Sequence, residues 1–360
     1  MKQYVVLSHT PWSSIPTRTQ QLVTRLGEAQ VLFFQPAGHS GDQRWKEPGR
    51  LVRPDVTLYT LPPDTALSDR HSYFQKRSVR RQASFVEKQV ARHRFREPVL
   101  WLTCPDQLPF LDLCAYRGVV YDCDRFWPPE LEDRESELTA AADVIFAASP
   151  LLKRRLSPCS ANVALLPNGV NYPMFRRPSS EIPADLEGLL SPVLGWEGTI
   201  DQRLDLSPVL AIAARHPEWT VALVGQVEDC PAVRQLATYS NVVFLGQRPL
   251  VDLPDYLSRF QVLLNLRREG DADSDVIPTR IYEYLSTGLP VVSLLLPDEV
   301  EEFPDVIYGA HDPEEFVHLC ERALAEDPTW VAPRRRDYGA ASAWSRRAEE
   351  VRRILGAISL

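Results

Sequence analysis

The stretch Ile277 to Ser293, IPTRIYEYLSTGLPVVS, constrains this chain most, because it spells a helix with a marked start and stop that runs straight into a strand. Pro278 suits the first helical position, where its missing N–H costs nothing and its φ is already set. The same proline pushes Ile277 toward an extended conformation. Thr279 to Thr287 is helix-compatible, with Ile281 and Leu285 stacked at i, i+4. Gly288 is a natural stop, and Leu289-Pro290 leads into the β-branched run Val291-Val292-Ser293. Such a strand would continue a parallel sheet. Free N–H groups and the dipole at the helix start make an anion site suited to a diphosphate. Glu283 lies about one and a half turns in, with its side chain leaning back toward the N-terminus. A carboxylate there can accept both ribose hydroxyls of a nucleotide whose diphosphate sits on the helix end. An ordinary solvated helix glutamate is the other reading of Glu283 taken alone.

The same alternation of short apolar strands and helical patterns runs along the whole chain. Strands are expected at residues 3–8, 31–34, 99–103, 119–121, 144–147 and 163–166, with helices at 18–28, 138–142 and 150–156. A second series starts at Val193-Leu194-Gly195 and continues through strands at 220–224, 242–245 and 262–266. Helices are expected near 206–215, 314–325 and 341–355. This pattern predicts an α/β protein with parallel sheets covered on both faces.

A length of 360 residues allows two domains, each with its own core. No apolar run is long enough to cross a bilayer, and the apolar part of MKQYVVLSHT is too short for a signal peptide. A cytoplasmic protein is expected. The six cysteines show no C-x-x-C pair and no metal-ligand spacing, which predicts reduced thiols and no metal site. Charge is lopsided: residues 1–177 carry net +6 and residues 178–360 net −14. The acidic C-terminal half argues against nucleic-acid binding. Residues 76–96 hold eight Lys and Arg against one Glu, with Phe85, Val86, Val90 and Phe95 interleaved. A basic amphipathic helix of this kind suits an anionic membrane surface, peripheral at the inner face. A solvated surface helix is the alternative.

The 277–293 segment resembles a motif of family-4, retaining GT-B glycosyltransferases, in particular the bacterial surface-polysaccharide (teichuronic-acid-type) branch, where Pro-x-Lys-x-x-Glu-Tyr-Leu-x-x-Gly-x-Pro-Val-Val recurs. Arg280 stands at the lysine position. Two further runs are similar: Gly195 to Asp205, GWEGTIDQRLD, and Pro167-Asn168-Gly169-Val170-Asn171 leading to Phe175. The resemblance implies two Rossmann-like domains facing across a cleft. It places an N-terminal domain at 1–177, a linker at 178–192, a donor-binding domain at 193–338 and a bracing helix at 339–360. It implies a nucleoside-diphosphate sugar donor (UDP first, GDP next), a glycan or lipid-linked acceptor, and no cofactor. A nonhydrolysing UDP-sugar epimerase and an inactive nucleotide-sugar-binding subunit share the architecture and remain alternatives.

On the donor side the resemblance points to Gly198, Thr199, Arg203, Gln226, Ile277, Thr279, Arg280 and Glu283. Arg203 and Arg280 would neutralise the departing diphosphate, and the Arg248 main chain would meet the base. Asp275 takes the place of the family's usual sugar-contacting glutamate, or belongs to an acidic loop. On the acceptor side His9, Trp12 and Arg18 would line the cleft, with a packed Trp and hydrogen-bonded His as the plain alternative. Asp122-Cys123-Asp124 has the spelling of a metal motif but ends a strand in the N-terminal half. Asp124, with Asp122 beside it, is the candidate to orient the acceptor hydroxyl or donor sugar.

Overall fold

The structure, a computed structural model, describes residues 1–64, 72–177, 182–266, 276–294 and 302–360. The chain divides into two compact units: Met1–Pro167 with Ser345–Leu360, and Asn168–Trp344. Each unit is built on one sheet.

The first unit carries β1 (Lys2–Leu7), β2 (Ala29–Gln35), β3 (Arg50–Arg53), β4 (Val56–Thr60), β5 (Val99–Leu102), β6 (Gly118–Cys123), β7 (Val144–Ala147) and β8 (Val163–Leu165). Their order is β3-β4-β2-β1-β5-β6-β7-β8, and every pair is parallel except β3–β4. The central strands are continuous apolar runs because both faces are covered: Val5, Val6, Leu7, Leu100, Trp101 and Leu102 are all fully buried. The expected helix 18–28 spans only Arg18–Val23. Thr24 ends it, its hydroxyl donating to the Gln20 carbonyl at 2.6 Å, and Gly27 follows at φ 86°. The expected helix 341–355 spans Trp344–Ala357, and a further helix, Pro328–Ala341, precedes it. Ala348, Val351 and Leu355 form the buried stripe of Trp344–Ala357, and residues 345–360 pack in the first unit.

The second unit carries β9 (Val193–Glu197), β10 (Thr220–Val224), β11 (Val242–Gly246), β12 (Val262–Asn265), β13 (Val291–Leu294) and β14 (Ile307–Ala310). All pairs are parallel, in the order β11-β10-β9-β12-β13-β14. Successive residues enter opposite cores: Leu194, Val221, Leu223, Leu264 and Val292 lie on one side. Val193, Ala222, Val224, Leu263 and Val291 lie on the other. The boundary expected at 177, with a linker to 192, moves to Pro167/Asn168. The reason is apolar: Phe175 and Leu186 sit in the second unit's core.

The helix Ser72–Arg92 uses its apolar face inside the first unit. Val86 and Val90 are buried, and Phe85 packs edge-on against Phe34 and Tyr59. Phe85, Val86 and Val90 are thus engaged inside the unit, and Arg77, Arg80 and Lys88 are exposed. Among the described residues, no helix is long and apolar enough to cross a membrane.

Candidate functional site

In the second unit, sequence order reverses between β9 and β12, and open parallel sheets bind ligands outside the carboxyl ends of strands at such a point. Glu197 ends β9 there, and the helix Thr279–Thr287 begins beside it after β12. Pro278 is the N-cap of this helix, one position earlier than expected, with extended φ −68°, ψ 148°. Gly288 ends it in the left-handed conformation at φ 83°. The N–H groups of Thr279 and Arg280 precede any intrahelical acceptor. Asn168 Nδ2 donates to the Ile277 carbonyl at 3.0 Å, so two of the singled-out motifs meet at this helix start.

Four side chains converge on it. Arg280 Nε donates to Glu197 Oε1 at 2.9 Å, and its guanidinium carbon lies 3.8 Å from the Trp196 ring centroid. The Glu197 N–H donates to Tyr284 Oη at 3.1 Å, which pins the helix to the end of β9. Glu283 is half-buried on the same first turns. Its carboxyl is pushed up to about 8, first by burial and then by the Glu197 charge, with Arg280 pulling the other way. Two carboxyl groups thus face one arginine.

Gly198 and Gly225 make room for this packing. Gly198 has φ 135°, and a Cβ there would come within 2.0 Å of Arg280 Nη2. A Cβ on Gly225 would fall 1.7 Å from the Gly198 carbonyl oxygen, so the turns after β9 and β10 stack backbone on backbone. The Ile200 N–H donates to the Gln226 carbonyl in the same stack at 2.8 Å.

Other candidates stand elsewhere. Arg203 is 68% exposed and forks onto Asp201, donating from Nε at 2.8 Å. Its charge is compensated two residues away, so Arg280 is the arginine at the helix start. Thr199 and the Gln226 side chain are exposed, Thr279 is half-buried and Ile277 is buried. The Arg248 side chain pairs with Asp185 and donates to the Leu245 carbonyl at 2.6 Å, a local clamp that leaves only its main chain for a ligand. Asp275 lies outside the described residues.

In the first unit the sheet reverses between β1 and β5. A cavity of roughly 620 Å³ opens at their carboxyl ends, lined by Ser8, His9, His39, Asp64, Cys104 and Asp106 among others. His9 Nδ1 is 2.8 Å from Thr103 Oγ1, and its Nε2 is 3.9 Å from Asp124 Oδ2. Arg125 Nε donates to Asp124 Oδ1 at 3.0 Å. Trp12 packs edge-on against Phe33 instead of lining the cavity. Arg18 is also absent from the cavity lining. It is buried and donates from Nε to Asp122 Oδ1 at 2.9 Å, and Asp122 is 1% exposed. Asp122 is pushed up by burial, with Arg18 opposing. Asp122 and Arg18 pair at the buried strand end, and His9, which approaches Asp124, reaches the cavity surface. Among the described residues, no group of three or more His, Cys, Asp or Glu could hold a metal ion, and all six cysteines are free.

Glu197, Trp196, Tyr284 and the cavity residue His39 were not among the expected site residues. Trp196 and Glu197 carried one legible signal, a place between the end of a buried strand and a glycine.

Residues 202–326 match the family described as "Glycosyl transferases group 1". The chain is 26% identical over 267 residues to the "Putative teichuronic acid biosynthesis glycosyltransferase TuaH" of Bacillus subtilis, an alignment spanning 66% of each protein. Its fold is that of sucrose-phosphate synthase from Thermosynechococcus elongatus, with TM-score 0.78 and 16% identity over 100% of this chain and 99% of that one. The chain has the GT-B fold, and residues 202–326 carry a group 1 glycosyl transferase domain. The fold also matches Anabaena HepE in complex with UDP and glucose, at TM-score 0.71 and 14% identity over 99% of this chain and 100% of that one. An E. coli trehalose-6-phosphate structure bound with UDP-2-fluoro glucose matches at TM-score 0.74 and 13% identity, over 97% and 98%. The group 1 glycosyl transferase domain contains Arg280, Glu283 and Tyr284; Trp196 and Glu197 lie just before it.

Proposed function

We propose that this GT-B protein moves a sugar, with retention, from a nucleoside-diphosphate sugar to a hydroxyl of a cell-surface glycan or its lipid-linked precursor. UDP is the favoured nucleotide and GDP the next. The observation that carries this reading is the placement of Glu283 and Arg280 on one helix start, beside free N–H groups, at the reversal point of the second sheet. On this reading the ribose hydroxyls donate to Glu283, and the diphosphate sits on the N–H groups of Thr279 and Arg280. Two likenesses named above, whose structures hold UDP with glucose or a UDP-fluorosugar, support the choice of UDP.

As the bond between the anomeric carbon and the diphosphate breaks, negative charge grows on the leaving oxygen. Arg280 and the helix dipole stabilise that charge, so no metal or other cofactor is required in this scheme. The new bond from the acceptor oxygen forms on the same face, and the acceptor proton passes to the leaving-group oxygen. Asp124, with His9, orients the acceptor hydroxyl bound at the first unit's cavity. The exposed basic face at Arg77, Arg80 and Lys88 supports adsorption to an anionic membrane by charge alone.

Thermal unfolding with a panel of nucleotides and nucleotide sugars tests the donor site. A ligand at 100 times its Kd stabilises by about 2.7 kcal/mol. UDP or GDP should raise the melting temperature of wild type and not of Glu283→Ala. No shift with any nucleotide would remove the proposal.

A further inference from the structure

Arg280 is held on three sides in the free protein, and one of its holders has no part in the donor reading so far. The Trp196 indole lies under the guanidinium at 3.8 Å, Gly198 receives Nη2, and Glu197 Oε1 accepts from Nε at 2.9 Å. An arginine side chain has rotamer freedom that must be lost before its fork can meet a phosphate. Here most of that freedom is already removed. The contact to Nε occupies the root of the fork and leaves the two terminal nitrogens, one of them directed at the turn after β9. The Glu197 side chain is 11% exposed and that of Arg280 20%, so solvent screens the pair little. Its backbone is fixed as well, through the N–H to Tyr284 Oη on the next turn of the same helix.

We propose that Glu197 is the positioning residue of the donor site: it aims Arg280 at the leaving diphosphate and weakens ground-state binding of that diphosphate by its own charge. The inference rests on the donor-site reading above. Glu197 touches Arg280 and not the sugar, and its effect passes through the guanidinium. The groups facing it are Arg280, Glu283 and Tyr284 from the helix, with Trp196 and Gly198 from its own turn. Two consequences oppose each other. Orientation of Arg280 favours the transition state, where charge on the leaving oxygen is largest. Like charge beside the diphosphate disfavours nucleotide binding.

That opposition gives a signature that a merely structural residue lacks. Glu197→Gln keeps an oxygen for Arg280 Nε and removes the charge, so UDP should bind about threefold tighter or more, while kcat falls. Glu197→Ala loses the oxygen too, and kcat should fall about tenfold or more. Uridine, which lacks the diphosphate, should bind both variants as it binds wild type. Arg280→Lys cannot make the Nε contact, so adding Glu197→Gln to it should leave kcat unchanged, a double-mutant cycle that isolates the pair. Calorimetry with UDP and uridine, together with initial rates of transfer, reads all five proteins. Equal losses of uridine and UDP affinity, or wild-type kcat and UDP affinity in both Glu197 variants, would overturn the inference while leaving the donor site standing. Wild type that binds neither UDP nor GDP would remove the donor site and the inference together.

Discussion

Nucleotide binding should release a proton at neutral pH, and the amount follows from the environment of Glu283. Its carboxyl is pushed up from an ordinary 4.5 to about 8 by burial and by Glu197, so the nucleotide-free site holds the proton at pH 7. Ten protonated molecules stand for each ionised one, or about 0.9 bound proton. A carboxylate that accepts two ribose hydroxyls is stabilised in its charged form, which drives the bound value well below 7. Binding at pH 7 should then release about 0.9 proton, falling to about 0.1 at pH 9. Affinity should weaken by about 50-fold between pH 8 and pH 6. The sign for folding is the opposite. A carboxyl whose value is raised on folding contributes stability fully below 4.5, and that contribution is lost as pH rises through about 8. Calorimetry of UDP binding in buffers of different ionisation enthalpy counts the protons. Glu283→Gln is the control, because it retains any proton exchange belonging to UDP itself. Identical proton release from wild type and Glu283→Gln at pH 7 would refute the reasoning.

Arg280→Ala should lower transfer by about 100-fold, since removing one donor to developing charge costs about 2.7–4 kcal/mol. Arg203→Ala should change it little, because Asp201 already holds that fork in solvent; initial rates decide, and a larger effect at Arg203 would reverse the assignment. Arg18→Ala strands a buried carboxyl and should destabilise the protein by about 3–5 kcal/mol in urea unfolding; a loss under about 1 kcal/mol would show that Asp122 is compensated otherwise. Changing Arg77, Arg80, Arg81 and Lys88 together to Gln should abolish sedimentation with anionic vesicles at low salt, at about 1 kcal/mol per charge. Wild type that ignores such vesicles would leave that helix as a solvated surface.

Much of the fold is legible in the sequence wherever a strand is buried on both faces. VLWL at β5, VIFA at β7 and VALV within β10 are apolar without interruption, since a covered parallel sheet leaves no polar side. The helix 279–287 is legible for a different reason, its proline and glycine punctuation. What escapes is edge and context. β3 is RLVR on an exposed antiparallel edge, where arginines are tolerated and the apolar signal vanishes. The helix after Thr17 stops short although Leu26 prolongs the apolar pattern. Arg203 reads as a diphosphate ligand, and nothing in the sequence shows that its fork also meets Asp201. Glu197 reads as any acid at a strand end, and only the approach of Arg280 from a helix some eighty residues later gives it a role. Long-range ion pairs of this kind leave no local pattern in one sequence.

The central claim is transfer itself, and one measurement addresses it directly. The purified protein is incubated with a UDP-sugar labelled at the anomeric carbon and a surface-glycan acceptor, with EDTA present, and products are followed by NMR and mass spectrometry. The account requires free UDP and a new glycoside in equal amounts, with the anomeric configuration of the donor. Inverted configuration would contradict retention, a dependence on added metal would contradict the role given to Arg280, and an isomerised UDP-sugar with no glycoside would contradict transfer altogether.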